Sequence, residues 1–341
     1  MVNATLKTIA LATGFSVTTV SRALGGFDDV SEDTRQIILA EARRQCYQPN
    51  SLARALQTQR TQTIGLIAPF AGPRFPDPFF GAFVAGAGNA AGAAGYDLLL
   101  STQVPASDEL ELEDYRRVIM GRRVDGLLII RARYDDARIR YLAAAGFPFV
   151  VFGRTASVTD YVYLDVDGTA GQSALTVHFI GLGHRRIAYF MPPRELMFTH
   201  FRLQGFREAM TRHGLPVDAD LLIETDLTEN GGREAAHYVL DLPQPPTAIM
   251  TGNDRVALGV MGAIHSRGLR VGDDIAVAGF DDIPAAEHVH PGLTTVRQPI
   301  YEIGQRCAQA LLRLITSDAA QPRATLIQPE VIIRASSGRP R

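Results

Sequence analysis

The stretch ALATGFSVTTVSRAL, residues 10–24, decides the organisation of the N-terminal end of this 341-residue chain. Its apolar positions recur at helical spacing on both sides of Gly14, and Ser16 is placed to cap a second helix. A helix-turn-helix requires a small residue where its helices touch, here Ala10, and a glycine at the turn. Val20 falls on the buried stripe of the second helix. The stretch therefore predicts two short helices joined by a tight turn.

The outward face of the predicted second helix carries side chains suited to DNA. Arg22 can donate two parallel hydrogen bonds to guanine O6 and N7, while Val17 and Thr18 suit an adenine edge or a thymine methyl. Hydroxyl groups that can bind phosphate oxygens accompany them, on Ser16, Thr19 and Ser21. A small helical bundle with surface hydroxyls is the alternative interpretation of the same pattern.

Charge is unevenly distributed along the chain. The sequence has 34 basic and 36 acidic side chains, which argues against a protein that coats nucleic acid by bulk charge. Residues 1–60 nevertheless carry a net charge of +2, and the remainder carries −4. Because this excess is small, DNA affinity must depend on where Arg22 and its neighbours lie.

Composition and motifs exclude several classes of protein. No apolar run reaches the roughly 18 residues of a membrane helix, and no secretory signal is recognisable, so neither feature is expected. Cys46 and Cys307 cannot build a disulfide framework, which favours a reducing compartment and a cytoplasmic location. Without a GxSxG elbow, an HExxH helix or a Walker loop, we expect no enzyme, cofactor or metal.

From Thr63 onward the sequence alternates between short apolar strands and helices. The alternation restarts after Thr159, which predicts two doubly wound parallel sheets with a ligand crevice at the carboxyl ends of the strands. The predicted fold class is therefore α/β, preceded by an all-α helix-turn-helix headpiece.

Short motifs follow one another from end to end of the chain: VSRAL (20–24), YQPNSLARAL (47–56), LGHRRIA (182–188), GFDD (279–282) and LTTVRQ (293–298). Together they resemble the lactose-repressor (LacI/GalR) family over essentially the whole chain. The resemblance implies a homodimeric regulator that binds pseudo-palindromic double-stranded operator DNA. It also implies a periplasmic-binding-protein-like core that binds a small effector.

The resemblance implies a division of the chain into a helix-turn-helix domain, a hinge helix with its linker, and an effector-binding core. These are residues 1–48, 49–62 and 63–341. The core is expected to contain an N-terminal subdomain, 63–159 and 296–322, and a C-terminal subdomain, 160–295 and 323–336.

The hinge helix is implied at residues 50–57, and in the family this helix orders on the operator. Eight residues form a marginal helix alone, and two Leu56 side chains of a dimer would wedge into a minor-groove step and bend the duplex. An amphipathic linker helix packed on the core is the alternative. Gly25, where the family often has asparagine, is expected to affect stability only. The other DNA contacts implied by the resemblance are Thr5, Asn50, Ala53 and Arg54.

For the effector, Arg202, Asn253 and Asp281 match family positions that bind sugar hydroxyls, which donate to carboxylates and accept from guanidinium groups. An ion pair for Arg202 and helix capping for Asn253 or Asp281 are the alternatives. The Phe-Gly-Arg sequence at 152–154 looks like that of members that respond to α-glucosides. The remaining expected effector contacts are Asp77, Phe79, Arg154 and Phe198.

The function expected from the resemblance is a repressor that a sugar inducer releases from DNA. A purine-type corepressor, another ligand or a transcriptional activator of the same family is the alternative. A solute-binding protein and a sugar-processing enzyme are rival classes. Asp167 is expected to close a turn into a helix, and His184 to be structural.

Overall fold

The computed structural model describes residues 4–47, 60–68, 77–102, 107–316 and 322–338. The chain divides into two compact units, Met1–Gln62 and Thr63–Arg341. Most of the predicted hinge lies outside the described residues, together with its four expected DNA contacts, Asn50, Ala53, Arg54 and Leu56.

Among its described residues, 4–47 and 60–62, the N-terminal unit contains three helices: α1 Leu6–Thr13, α2 Val17–Leu24 and α3 Glu32–Arg44. Gly14 ends α1 with a φ of 74°, a backbone conformation that glycine adopts without strain. Ile9, Val20 and Ile38, one from each helix, are fully buried against one another. The predicted helix-turn-helix is therefore confirmed.

The larger unit alternates strands and helices. Its strands are β1 Thr63–Ile67, β2 Asp97–Ser101, β3 Gly126–Ile129, β4 Phe149–Phe152, β5 Val162–Val166, β6 Ile187–Met191, β7 Leu222–Glu224, β8 Ala248–Thr251, β9 Ala276–Ala278, β10 Thr295–Arg297, β11 Ala324–Ile327 and β12 Glu330–Ile332. Its helices are α4 Pro78–Ala93, α5 Asp108–Met120, α6 Ala137–Ala145, α7 Gly168–Gly181, α8 Met197–Arg212, α9 Glu229–Leu240, α10 Asp254–Ser266, α11 Pro284–His288 and α12 Ile300–Thr316. In the described ranges, no helix is long and apolar enough to cross a membrane.

Two parallel sheets organise this unit, as predicted. The first has the strand order β11-β5-β4-β3-β1-β2, and the second has the order β7-β6-β8-β9. Both faces of each sheet are covered by helices: in β3, for example, Leu128 packs with the side chains of α4 and α12, and its neighbour Leu127 with those of α5 and α6. This is why the strands are apolar at consecutive positions rather than at alternate ones.

The predicted division into subdomains is wrong at its boundaries. The structure places β5 and β11 in the six-stranded sheet, where β5 pairs with β4 and β11 with β5, whereas the prediction gave both to the C-terminal subdomain. Strand β10 instead pairs with β12 beside the second sheet, with a bridge from Thr294 to Ala278.

The chain consequently crosses between the sheets after Val166, after Arg297 and after Ile327, a few residues later than predicted in each case. The short and mostly buried apolar pattern of β5 suits either sheet. For β11 the deciding backbone partner, β5, is distant in the sequence, whereas β5 itself pairs with the preceding strand β4, so the predicted restart after Thr159 came one strand too early.

Candidate effector pocket and DNA-reading surface

A pocket of about 740 Å³, partly open to solvent, lies between the two parallel sheets. The carboxyl ends of β4, β5 and β8 open onto it, which is where α/β sheets bind ligands. Its wall contains both aromatic rings and charged groups. The predicted residues that line it are Asp77, Phe79, Arg154, Phe198, Arg202, Asn253 and Asp281. The pocket thus brings all seven expected effector contacts together.

Arg202, on α8, lies between two aromatic rings. Its Cζ is 3.6 Å from the ring centroid of Phe280 and 4.7 Å from that of Phe198, and its Nη1 donates to the Gly252 carbonyl at 2.5 Å. Burial lowers the pKa of Arg202. Its buried Nε has no hydrogen-bond partner among the described residues. None of the described acidic side chains forms an ion pair with Arg202 either. The ion-pair alternative therefore does not account for its position.

Asp281 lies between β9 and α11 with a φ of 125°, which is strained for a residue other than glycine. It accepts a hydrogen bond from Gln298 Nε2 at 2.6 Å. Burial raises the pKa of Asp281 well above its usual value, although the positive charge of Arg202 acts in the opposite direction. Helix α11 begins after Ile283, so the alternative in which Asp281 caps a helix is wrong.

Asn253 caps helix α10, as its alternative interpretation held. Its Oδ1 accepts from the Val256 amide at 2.9 Å, and its Nδ2 donates to the Leu227 carbonyl at 3.2 Å. The second amide proton of Asn253 can still be donated to a ligand. Capping and effector binding are thus compatible at this residue.

The six-stranded sheet contributes Asp77 and Phe79 at the start of α4. Asp77 accepts from the Phe79 amide at 3.2 Å and from Arg131 Nη2 at 2.8 Å. The half-buried ring of Phe79 stacks on Phe152, with ring centroids 5.9 Å apart. Phe83, in contrast, is fully buried in the core. Phe79 therefore belongs both to the edge of the core and to the pocket wall.

Among the other lining residues are five polar, charged or aromatic side chains that were not predicted as effector contacts: Arg131, Asp165, Phe201, Phe280 and Gln298. Arg131 follows β3 in the same way as Arg154 follows β4. Its position just after a parallel strand was the signal that could have placed it in the pocket. Asp167 caps α7 through the Ala170 amide at 2.9 Å, which confirms its predicted role.

The second helix of the N-terminal unit exposes Val17, Thr18 and Arg22 to solvent, as predicted. The Ser16 hydroxyl caps this helix by accepting from the Thr19 amide at 3.0 Å. The two hydroxyls of this pair lie 2.8 Å apart, and Ser21 is half-buried on the same helix. Thr5 caps α1 in the same way, by accepting from the Thr8 amide at 3.2 Å. Exposed helix N-termini of this kind can receive DNA phosphates.

His184 has structural partners at both ring nitrogens. Nδ1 is 2.9 Å from the Thr247 hydroxyl, and Nε2 is 2.7 Å from the Gly338 carbonyl. Across the described ranges, no group of three or more metal-ligating side chains is placed to hold a metal ion.

Comparison with known proteins gives the family. Residues 5–50 match the model described as bacterial regulatory proteins, lacI family, and residues 176–337 match the periplasmic binding protein-like domain. The HTH-type transcriptional regulator CelR of Thermobifida fusca is 32% identical over 97% of this chain and 98% of its own. The chain belongs to the LacI family. The HTH-type transcriptional regulator AglR of Rhizobium meliloti is 35% identical to this LacI-family chain, over 98% of it and 94% of AglR.

Solved structures agree with this assignment. The lac repressor dimer bound to operator and the anti-inducer ONPF matches this LacI-family chain with a TM-score of 0.86 and 27% identity, covering 98% of it and 99% of the repressor chain. A CelR–cellobiose complex matches with a TM-score of 0.75 and 31% identity over 98% and 99%. The protein is therefore a DNA-binding transcriptional regulator and not an enzyme.

Proposed function

We propose that this regulator is a homodimeric repressor that binds a pseudo-palindromic operator in the cytoplasm and releases it when a sugar enters the pocket between the sheets. The relatives support both partners, since one neighbour is a repressor dimer on its operator and another is a complex with cellobiose. Both partners are proposals for this chain.

The observation that carries the sugar proposal is the buried Arg202 guanidinium, whose Nε has no hydrogen-bond partner among the described residues, in the same pocket as the carboxyl group of Asp281. Sugar hydroxyls accept hydrogen bonds from a guanidinium and donate to a carboxylate, so a single diol can satisfy both groups. The rings of Phe79 and Phe198 offer apolar faces against which a pyranose can pack.

Within the sugars, we take α-glucosides as the first class to test. The support is the Phe-Gly-Arg sequence at 152–154, which lies in the pocket wall with Arg154 fixed by Asp165 at 2.6 Å. Gly153 adopts a φ of 110°, so a side chain there would be strained. At Gly153 the pocket wall therefore consists of backbone without a side chain, next to the guanidinium of Arg154.

The switch we propose follows from the two-sided pocket. Asp77, which caps α4, and Arg154, which follows β4, lie on the side of the six-stranded sheet. Arg202 and Asp281 lie on the side of the four-stranded sheet. A sugar that reaches all four side chains favours the arrangement of the two sheets in which they are closest together. Operator affinity falls if that arrangement disfavours the ordered hinge, because a ligand shifts only an equilibrium whose states it binds unequally.

A thermal-shift screen of the purified full-length protein tests the effector class. The arms are α-glucosides, other mono- and disaccharides, and nucleobases. At about 100 times its dissociation constant, a ligand should stabilise the fold by roughly 2.7 kcal/mol. Operator binding is then measured with and without each stabilising compound. Release by a sugar supports the proposal; stabilisation by a nucleobase with tighter operator binding would replace it with a purine-type corepressor.

Arg22 is the residue we propose to read guanine, with Val17 and Thr18 beside it. Substitution by alanine, Arg22→Ala, should weaken operator binding by roughly 1–3 kcal/mol and relax specificity at one base pair. A uniform loss on all DNA sequences would instead indicate a phosphate contact. The hydroxyls of Thr5, Ser16, Thr19 and Ser21 are proposed phosphate contacts.

A further inference from the structure

The loop that follows the second helix folds back against Arg22. The Phe27 amide donates to the Arg22 carbonyl at 3.1 Å, and Arg35 Nη2, from α3, donates to the Phe27 carbonyl at 2.7 Å. The loop is therefore attached to both helices, and its side chains have defined positions beside the DNA-reading face.

Asp29, in this loop, binds Arg22 through both carboxylate oxygens. Arg22 Nε donates to Asp29 Oδ1 at 3.0 Å, and Nη2 pairs with Oδ2. This fork uses the Nε–Nη2 edge of the guanidinium and leaves the Nη1–Nη2 edge, with three of the five N–H donors, for another partner. The two side chains are 45% and 53% exposed, so the free edge is accessible to a ligand.

Phe27 supports the same guanidinium from its face. The Arg22 Cζ lies 4.9 Å from the centroid of the Phe27 ring. A Cβ atom at Gly25 would come within 2.9 Å of this ring, so glycine makes room for it. The departure at Gly25, which was expected to affect stability only, therefore bears on the DNA-reading face.

We propose that Asp29 is a specificity-determining positioning residue, whose carboxylate fixes the plane of Arg22 so that its Nη1–Nη2 edge meets one guanine. A fixed guanidinium loses less conformational freedom when it binds O6 and N7, and it adapts less well to other bases. The negative charge of Asp29 also disfavours contact with phosphates, which lowers binding to unrelated DNA. Exposed ion pairs contribute little to fold stability, so the effect is expected in recognition.

The proposal rests on the proposed reading of guanine by Arg22, and the test separates the two. The probe is the tightest-binding duplex that the full-length protein selects from a randomised library. A set of duplexes in which each G·C pair is changed to A·T measures discrimination at every guanine. Asp29→Asn removes the carboxylate fork with little change in shape. Asp28→Asn is the matched control, because Asp28 is the exposed neighbour and forms no ion pair within residues 4–47.

Both variants remove one negative charge, so both should strengthen binding to non-cognate DNA alike. Asp29→Asn should also reduce discrimination at the guanine that Arg22→Ala relaxes, by about fivefold, whereas Asp28→Asn should not. A general structural defect would weaken binding to all duplexes, whereas loss of the Asp29 carboxylate should reduce discrimination at one base pair only. Thermal unfolding checks the fold, and Asp29→Glu, which keeps the charge but moves the carboxylate, gives a second comparison.

Two results would overturn the proposal. If Asp29→Asn and Asp28→Asn discriminate equally while Arg22→Ala relaxes one guanine, Arg22 reads DNA without Asp29. If Arg22→Ala relaxes no guanine, the proposed reading fails, and the role of Asp29 fails with it.

Discussion

Arg154, which follows β4, donates a 2.6 Å hydrogen bond from Nε to Oδ2 of Asp165 on the neighbouring strand β5 of the six-stranded sheet. Phe201, from α8 on the opposite wall of the pocket, covers the guanidinium at 3.8 Å. Burial raises the pKa of Asp165, and the adjacent Arg154 opposes that rise. The Arg154–Asp165 pair on the side of the six-stranded sheet is thus covered by α8, which packs with the four-stranded sheet.

Removal of one partner of this pair should destabilise the protein. Arg154→Ala leaves Asp165 buried without its counter-charge, and we expect a loss of about 2 kcal/mol in the free energy of unfolding, moderated by the partial exposure of Arg154. The double variant Arg154→Met/Asp165→Asn should recover most of the loss, because it leaves no unpaired charge. Urea denaturation measures both, and equal instability of the single and double variants would contradict the argument.

The helix-turn-helix could be predicted because its determinants are local. Gly14, Ser16 and Val20 lie within a few residues of one another, and each specifies a turn, a cap or a buried position directly. The membership of β5 could not be predicted in this way. Its apolar pattern suits either sheet: β4 precedes it directly in the sequence, but its other neighbour, β11, follows only after the whole second sheet, so the pattern does not show on which side of β5 the chain changes sheets.

The pocket shows the same contrast. The family resemblance identified Arg202 and Asp281, which the structure places in one wall. Arg131 was missed because its relation to the site depends on an ion pair with Asp77, 54 residues earlier in the sequence, and on an unusual φ of 52°. Phe201 was missed because its role depends on Arg154, which comes from the other sheet. Contacts between walls leave no periodic signal in the sequence.

Arg202→Lys should impair effector binding while leaving the fold and operator binding intact. Lysine keeps the charge but lacks the planar group held between Phe198 and Phe280. We expect a loss of effector affinity of at least about tenfold, since a forked contact is replaced by a point charge. Calorimetry with the sugar that stabilises the wild type measures it. Arg207→Lys, an exposed position on the same helix, is the control, and similar affinities for both variants would exclude the proposed contact.

Asp254 predicts a pH dependence of stability. Burial raises its pKa from 3.8 to about 6, against the hydrogen bonds from Thr295 Oγ1 at 2.5 Å and the Ile283 amide at 2.8 Å. The folded state binds the proton of Asp254 more tightly than the unfolded state does, so protonated Asp254 stabilises the fold. This contribution is complete below pH 4 and is lost as the pH rises through 6.

Asp254→Asn resembles the neutral acid at every pH. Its stability relative to wild type should therefore rise by roughly 2–3 kcal/mol between pH 4 and pH 7. Thermal or urea unfolding over this range measures the difference, with Asp273→Asn, an exposed aspartate, as baseline. A constant difference between Asp254→Asn and wild type would mean that Asp254 has the same pKa in the folded and unfolded states.

A short antiparallel backbone contact joins the two walls of the pocket. The Tyr134 amide donates to the Glu195 carbonyl at 2.7 Å, and the Met197 amide donates to the Ala132 carbonyl at 2.9 Å. The first segment follows β3, and the second leads directly into α8, which carries Arg202. These hydrogen bonds therefore favour the arrangement in which both walls can reach one sugar.

Met197→Pro deletes one of these bonds with little effect on the helix. Met197 is the first residue of α8, where proline is tolerated, and Leu196 already has the extended conformation that precedes proline. Loss of one hydrogen bond, roughly 1 kcal/mol, should reduce effector affinity about fivefold. Met197→Ala removes the same side chain and keeps the amide, so it isolates the backbone effect. If titration calorimetry finds the two variants equal, the contact between the walls does not contribute to sugar binding.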